Sequence, residues 1–236
     1  MTFSNKIVLV AGGTGGLGRA VSLAFLEADA KVAVTYRRPE EFAHLKNSVA
    51  RGSELEGHNI DVTDETAVTT LIASIVNRHG RLDAMVNCVG GYAGGVALWD
   101  LDTSVFERML SLNLRSGYAL TRAAVRVMLT QGSGAIVNVA SKAAFDHAAG
   151  AAAYAASKAA AVAMIDSLAA DLTGKGVRVN SVLPSIIDTE ANRKAMPSAD
   201  FSKWPKPEDI ARVILFLSSD DAKLIHGAAV PVYGNN

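Results

Sequence analysis

Residues 6–26 constrain the fold of this chain more than any other segment. Residues 6–11 form a nearly unbroken apolar run rich in β-branched side chains, which is typical of a buried strand. A glycine-rich turn follows at residues 12–18, and residues 19–26 then repeat apolar side chains at helical spacing. Glycines let a backbone approach a pyrophosphate, and the free N–H groups at a helix start attract its charge. Strand, glycine turn and helix in this order predict a dinucleotide-binding opening, with a plain tight connection as the alternative.

Strand and helix patterns alternate along the rest of the chain. We predict strands at residues 31–36, 82–87, 135–140 and 229–233, another beginning at 177, and the end of a third strand at 58–62. We predict helices at residues 39–50, after an Asp64 N-cap, at about 103–129, around 154 to 172, and from 207. This alternation predicts an α/β, Rossmann-type doubly wound parallel sheet of about seven strands with helices on both faces. One domain over residues 1–236 is the simplest organisation for this length.

Composition narrows the classes of function. The 23 basic and 23 acidic side chains balance, and no basic run favours nucleic acid as a partner. We expect no membrane partner, because no apolar stretch reaches the roughly 18 residues of a span. The single cysteine excludes an intrachain disulfide framework and is typical of a reducing, cytoplasmic location. No metal site is predicted.

Tyr154 and Lys158 lie four residues apart in a segment that favours helix, so they share a helix face. An ammonium beside a phenol favours the phenolate and lowers the phenol pKa from its usual value of about 10. Such a tyrosine exchanges a proton near neutral pH. Taken alone, the pair is better explained by a packed tyrosine beside a solvated lysine.

Several motifs together resemble the short-chain dehydrogenase/reductase family. The spacing of Gly12, Gly16 and Gly18 is similar to the glycine motif of that family. The other similar segments, in chain order, are residues 87–90 at a strand end, 111–114 with a helix asparagine, 135–141 with a serine thirteen residues before Tyr154, and 179–184 on the nicotinamide side. The resemblance covers essentially the whole chain. It implies four catalytic residues: Asn113, Ser141, Tyr154 and Lys158.

The resemblance also implies their roles. Tyr154 acts as general acid in reduction and as base in oxidation, and Lys158 depresses the pKa of Tyr154 and binds the nicotinamide ribose. Ser141 orients the reacting group, and Asn113 holds a water in a proton relay with Lys158. The implied reaction is hydride transfer between nicotinamide and a carbonyl or alcohol substrate. The two longest helices then form the interface of a homodimer or homotetramer.

The cofactor is predicted from the end of the second strand. An NAD-preferring site usually carries an acid there, whereas this chain has Tyr36 followed by Arg37 and Arg38. Guanidinium groups bind phosphate bidentately, so we predict NADP(H), with NAD as the alternative. The resemblance implies that the cofactor-binding residues are Gly12, Thr14, Gly15, Gly16, Leu17, Gly18, Tyr36, Arg37, Arg38, Asp61, Val62, Asn87, Val89, Gly90, Lys158, Pro184, Ile187 and Thr189.

The substrate is a small molecule of unassigned identity. Residues 89–95 and 188–204 resemble substrate-side loops of dihydropteridine reductases, a narrower alternative. Two features depart from those enzymes, which favour an acid at the second strand and lack the serine that stands here as Ser141. A dinucleotide-binding protein without catalysis is the remaining alternative. The side chains expected to line an apolar pocket are Tyr92, Phe145, His147, Ile186, Met196 and Trp204.

Overall fold

A computed structural model describes residues 1–234 and contains one seven-stranded sheet. Its strands are β1 Ile7–Ala11, β2 Lys31–Tyr36, β3 Leu55–Asn59, β4 Ala84–Asn87, β5 Gly134–Val139, β6 Val177–Pro184 and β7 Ala229–Val232. The spatial order is β3-β2-β1-β4-β5-β6-β7, and every neighbouring pair is parallel. The predicted doubly wound α/β fold is confirmed. The single domain over 1–236 stays a prediction, and its last two residues lie outside the described part.

Helices cover both faces of the sheet. They are α1 Gly16–Glu27, α2 Pro39–Asn47, α3 Glu65–His79, α4 Thr103–Leu110, α5 Ser116–Gln131, α6 Ala152–Leu172, α7 Glu190–Ala195 and α8 Pro207–Ser218. On one face, α1 and α8 bury a core that includes Phe25 and Ile214. On the other, α3, α5 and α6 bury Ile72, Leu120 and Ile165. Because both faces are covered, the central strands β1 and β4 are buried along their whole length, whereas the edge strand β3 is polar and only partly buried.

Two predicted boundaries are wrong by a few residues. The third strand ends at Asn59 instead of residue 62, because its pairing partner β2 ends opposite, at Tyr36. The second helix ends at Asn47 instead of residue 50. There the Ser48 hydroxyl donates a 2.9 Å hydrogen bond to the His44 carbonyl, which ties that carbonyl to a side chain at the helix end. The Asp64 N-cap is confirmed, since its carboxylate accepts from two backbone N–H groups of α3.

The long helix predicted at residues 103–129 has an irregular turn in its middle. A five-residue π-helical segment, Ser111–Arg115, separates α4 from α5. Single π turns inside α-helices occur frequently at functional sites. This one holds Asn113, whose side chain is buried. None of the helices in residues 1–234 combines the length and hydropathy that a membrane span requires.

Candidate active site

The sheet topology determines where a site can form. The chain reverses its direction of winding between β1 and β4, and open α/β sheets bind ligands at such a point, outside the carboxyl ends of the strands. The glycine turn follows β1, residues 87–90 close β4, Ser141 follows β5, and Pro184 closes β6. Residues from four strand ends therefore meet at one edge.

The glycine turn has the geometry of an anion cradle. A Cβ on Gly18 would lie 2.0 Å from the Gly12 carbonyl oxygen, so only glycine lets α1 begin this close to the turn. Gly12 itself has a φ of 71°, which favours glycine. The N-cap of α1 is Gly15, which has no side chain to bond the first N–H groups of the helix. Those donors fit a pyrophosphate, because a helix N-terminus attracts negative charge.

Other predicted cofactor residues pack around this turn. A Cβ on Gly16 would lie 2.8 Å from the Thr189 methyl, and one on Gly12 would lie 3.1 Å from a Val89 methyl. Leu17 and Val62 point into the two cores instead, so only their backbone is available to a cofactor. Ile187 packs on the edge of the first core, and Pro184 is buried at the end of β6.

Ser141, Tyr154 and Lys158 are brought together at the edge of the sheet. Ser141 is buried, and its hydroxyl faces the Tyr154 phenol, whose pKa it lowers. Its Oγ also accepts a 3.1 Å hydrogen bond from the Ala143 N–H, which orients the hydroxyl. One helical turn beyond Tyr154, Lys158 is 5% exposed and its Nζ donates a 3.0 Å bond to the Val139 carbonyl.

Asn113 and Lys158 meet at Gly90. A Cβ on Gly90 would lie 2.9 Å from Asn113 Oδ1 and 3.1 Å from Lys158 Nζ, so a side chain there would displace both groups. The Asn113 amide is held by Gly91, with which it exchanges bonds of 2.9 and 3.0 Å, and by the Ser157 hydroxyl at 2.9 Å. The structure thus collects all four predicted catalytic residues, while the water relay through Asn113 stays a prediction.

The prediction that Lys158 lowers the pKa of Tyr154 is wrong for this chain. Burial raises the pKa of the Tyr154 phenol, and the hydrogen bond with Ser141 offsets only part of that effect. The phenol of Tyr92, whose ring meets Tyr154 edge-on at 5.0 Å, raises the pKa of Tyr154 slightly further. The Lys158 ammonium faces the Val139 carbonyl, and burial lowers its own pKa to about 8.

This shift predicts a pH-dependent stability. Since the folded pKa of Lys158 is lowered from 10.5 to about 8, the unfolded chain binds the proton more tightly between those values, and stability rises with pH there. We expect Lys158→Met to lack this rise. Between pH 7 and pH 9.5 the unfolding free energy of the wild type should gain on the order of 2 kcal/mol relative to the variant. Urea denaturation of both proteins at the two pH values measures it, and a constant difference would contradict the buried ammonium.

The two arginines after β2 are not free. Arg37 forms a 2.8 Å ion pair with Asp61, and Arg38 pairs with Glu41. The second carboxylate oxygen of Glu41 accepts a 3.1 Å hydrogen bond from Thr14 in the glycine turn. Sequence reasoning missed Glu41, because an acid in a first helical turn after Pro39 is explained by the helix dipole alone. Tyr36 stacks on the Phe42 ring at 4.8 Å.

Apolar side chains surround the mouth of the site. Tyr92, Phe145 and Ile186 are exposed on the loops after β4, β5 and β6, and their part in a substrate pocket stays a prediction. Trp204 was predicted to line the pocket, but it is buried and packs on Phe201 with ring centroids 4.9 Å apart. The sequence analysis overlooked three further exposed side chains on the loop after β4: Val96, Leu98 and Trp99.

Known proteins share this sequence and fold. The chain is 29% identical to the 3-oxoacyl-acyl-carrier-protein reductase of Thermotoga maritima, over 99% of this chain and 98% of that protein. It is 32% identical to the meso-2,3-butanediol dehydrogenase of Serratia marcescens, over 99% and 95%. A short-chain type dehydrogenase/reductase from Mycobacterium ulcerans superimposes with a TM-score of 0.94 at 27% identity, over 100% and 90%. The structure of ElxO with NADP bound superimposes with a TM-score of 0.90 at 31% sequence identity, over 97% of each chain.

The short chain dehydrogenase family model matches residues 6–200, which hold the glycine turn and all four residues of the candidate site. The relatives are oxidoreductases by name, and their full-length similarity agrees with the parallel sheet and its order of strands. This chain belongs to the short-chain dehydrogenase/reductase family and is an oxidoreductase.

Proposed function

We propose that the protein is an NADP(H)-dependent oxidoreductase that interconverts a carbonyl and an alcohol through Ser141, Tyr154 and Lys158. The observation that carries the proposal is the convergence of Lys158 and Asn113 on Gly90, beside a buried Ser141 whose hydroxyl faces the Tyr154 phenol. Neighbouring serine and tyrosine hydroxyls can each donate a hydrogen bond to a substrate oxygen that binds between them.

The protein's own groups handle the proton, while a bound nicotinamide supplies or accepts the hydride. Burial keeps the Tyr154 phenol protonated at neutral pH, so its resting form is the general acid needed for reduction. Ser141 holds the phenol and orients the substrate oxygen. Lys158, one helical turn beyond Tyr154, would bind the nicotinamide ribose. Oxidation of the alcohol uses the same atoms in reverse.

Preference for NADP(H) is supported by Arg37 and Arg38, which follow Tyr36 where an NAD site usually carries an acid. The similar protein ElxO has NADP bound. Asp61 and Glu41 oppose this preference, because each already neutralises one guanidinium group. NAD is therefore the alternative cofactor.

The substrate class is a small carbonyl compound with an apolar portion. The exposed side chains of Tyr92, Phe145 and Ile186 stand on the loops around Tyr154, and apolar surface of this kind favours apolar ligands. The two relatives act on different substrates by name, a 3-oxoacyl-acyl-carrier-protein and a butanediol, so neither substrate carries over by similarity alone. Assembly as a homodimer or homotetramer in the cytoplasm stays a prediction.

A turnover screen tests the function. Oxidation of NADPH, and separately of NADH, is followed with 2,3-butanedione, acetoacetyl-CoA and quinonoid dihydropterin. We expect turnover with a carbonyl compound and a higher kcat/KM for NADPH than for NADH. Turnover with the pterin alone would favour the dihydropteridine reductase alternative, and tight NADPH binding without any turnover would favour the non-catalytic one.

A further inference from the structure

Glu41 joins two parts of the chain that the cofactor must pass between. One carboxylate oxygen accepts the hydroxyl hydrogen of Thr14 at 3.1 Å, in the glycine turn. The other pairs with Arg38, directly after β2. The side chain of Glu41 is 26% exposed, so it is partly enclosed yet open to solvent on one side.

The place of this bridge corresponds to the adenosine ribose. In a doubly wound sheet the pyrophosphate sits at the start of the first helix, and the ribose 2′ position faces the end of the second strand. Glu41 contacts Thr14 beside the start of the first helix and Arg38 after the end of the second strand. A ribose that spans these two points lies against the Glu41 carboxylate.

Charge then decides how Glu41 affects cofactor choice. A 2′-phosphate requires Arg38, but in this structure the Arg38 guanidinium is already paired with Glu41. Arg38 is 68% exposed, and an ion pair this exposed is weak enough to exchange partners. The phosphate must displace a carboxylate that also repels it, whereas the 2′-hydroxyl of NAD(H) meets no such competition.

We propose that Glu41 is a specificity-determining residue that limits the preference for NADP(H) by competing with the 2′-phosphate for Arg38. The proposal rests on the cofactor site described under Proposed function. Asp61 occupies Arg37 in the same way, but its other oxygen accepts both the N–H and the hydroxyl of Thr63, which makes it part of the local turn. Glu41 is therefore the carboxylate that can be changed with the least disturbance.

The test is equilibrium binding by calorimetry to the wild type, Glu41→Gln and Glu40→Gln. Glutamine keeps an oxygen for Thr14 and removes the charge, and Glu40 is an exposed neighbour that provides the same charge change without these contacts. The probes are adenosine 2′,5′-bisphosphate and adenosine 5′-monophosphate, which differ by the 2′-phosphate alone, followed by NADPH and NADH. We expect Glu41→Gln to tighten binding of the bisphosphate and of NADPH about tenfold at low salt. The affinities for adenosine 5′-monophosphate and NADH should change less than about twofold. Glu40→Gln should change the affinity for each of the four probes only slightly.

A double variant isolates the competition. In an Arg38→Gln background, Glu41→Gln should alter the ratio of the two adenosine affinities clearly less than tenfold, because only the direct repulsion between the carboxylate and the 2′-phosphate remains. Equal effects of Glu41→Gln and Glu40→Gln, or an undiminished effect without Arg38, would overturn the inference. These readouts need no turnover, so an inactive protein that still shows the tenfold shift would contradict the catalytic proposal and leave this one standing.

Discussion

Replacing Tyr154 with phenylalanine is expected to lower kcat for carbonyl reduction by about 10³-fold. The substitution removes the proton that the substrate oxygen receives, and it keeps the ring that packs edge-on against Tyr92. The phenol is not part of the glycine turn or of the Arg38 region, where the phosphates of the cofactor are expected to bind. The Kd for NADPH should therefore change less than about twofold. Steady-state rates and a fluorescence titration with NADPH measure the two quantities on the same preparation.

Tyr118→Phe is the matched control, since it removes a phenol hydroxyl from an exposed position on α5 that faces Arg122. It should retain the wild-type rate within about twofold, as surface substitutions away from a site usually do. If Tyr154→Phe turned over within tenfold of the wild type, Tyr154 would not be the acid. If it lost both turnover and NADPH binding, the residue would have a structural part in the cofactor site.

The fold could be predicted because its signals are local. The apolar run before Gly12, the turn itself and the alternation of strand and helix patterns each lie within one short segment. The errors at β3 and at the π turn arose where the sequence pattern carries no local signal. The end of β3 is set by the end of β2, and the π turn at Asn113 follows no pattern in the sequence of residues 111–115.

The sequence predicted which residues lie together at the candidate site, but it did not predict the direction in which the pKa of Tyr154 shifts. Resemblance located Tyr154 and Lys158, and a helix guarantees only that they share a face. The pKa of Tyr154 depends instead on how deeply other elements bury it, and burial proved the larger effect. Glu41 was missed for a similar reason. Its bond to Thr14 crosses 27 positions of sequence, and no spacing rule connects them.

Gly18→Ala is expected to destabilise the fold by about 3 kcal/mol and to weaken NADPH binding at least tenfold. The added methyl would lie 2.0 Å from the Gly12 carbonyl oxygen, and backbone cannot yield as a flexible side chain does. The first turn of α1 must then move, and with it the N–H groups that fit a pyrophosphate. Gly15→Ala is the control for the stability effect, because its methyl would meet the same oxygen at 3.6 Å, an ordinary contact. Urea denaturation and NADPH titration compare the two, and equal stability would show that the turn tolerates a side chain at Gly18.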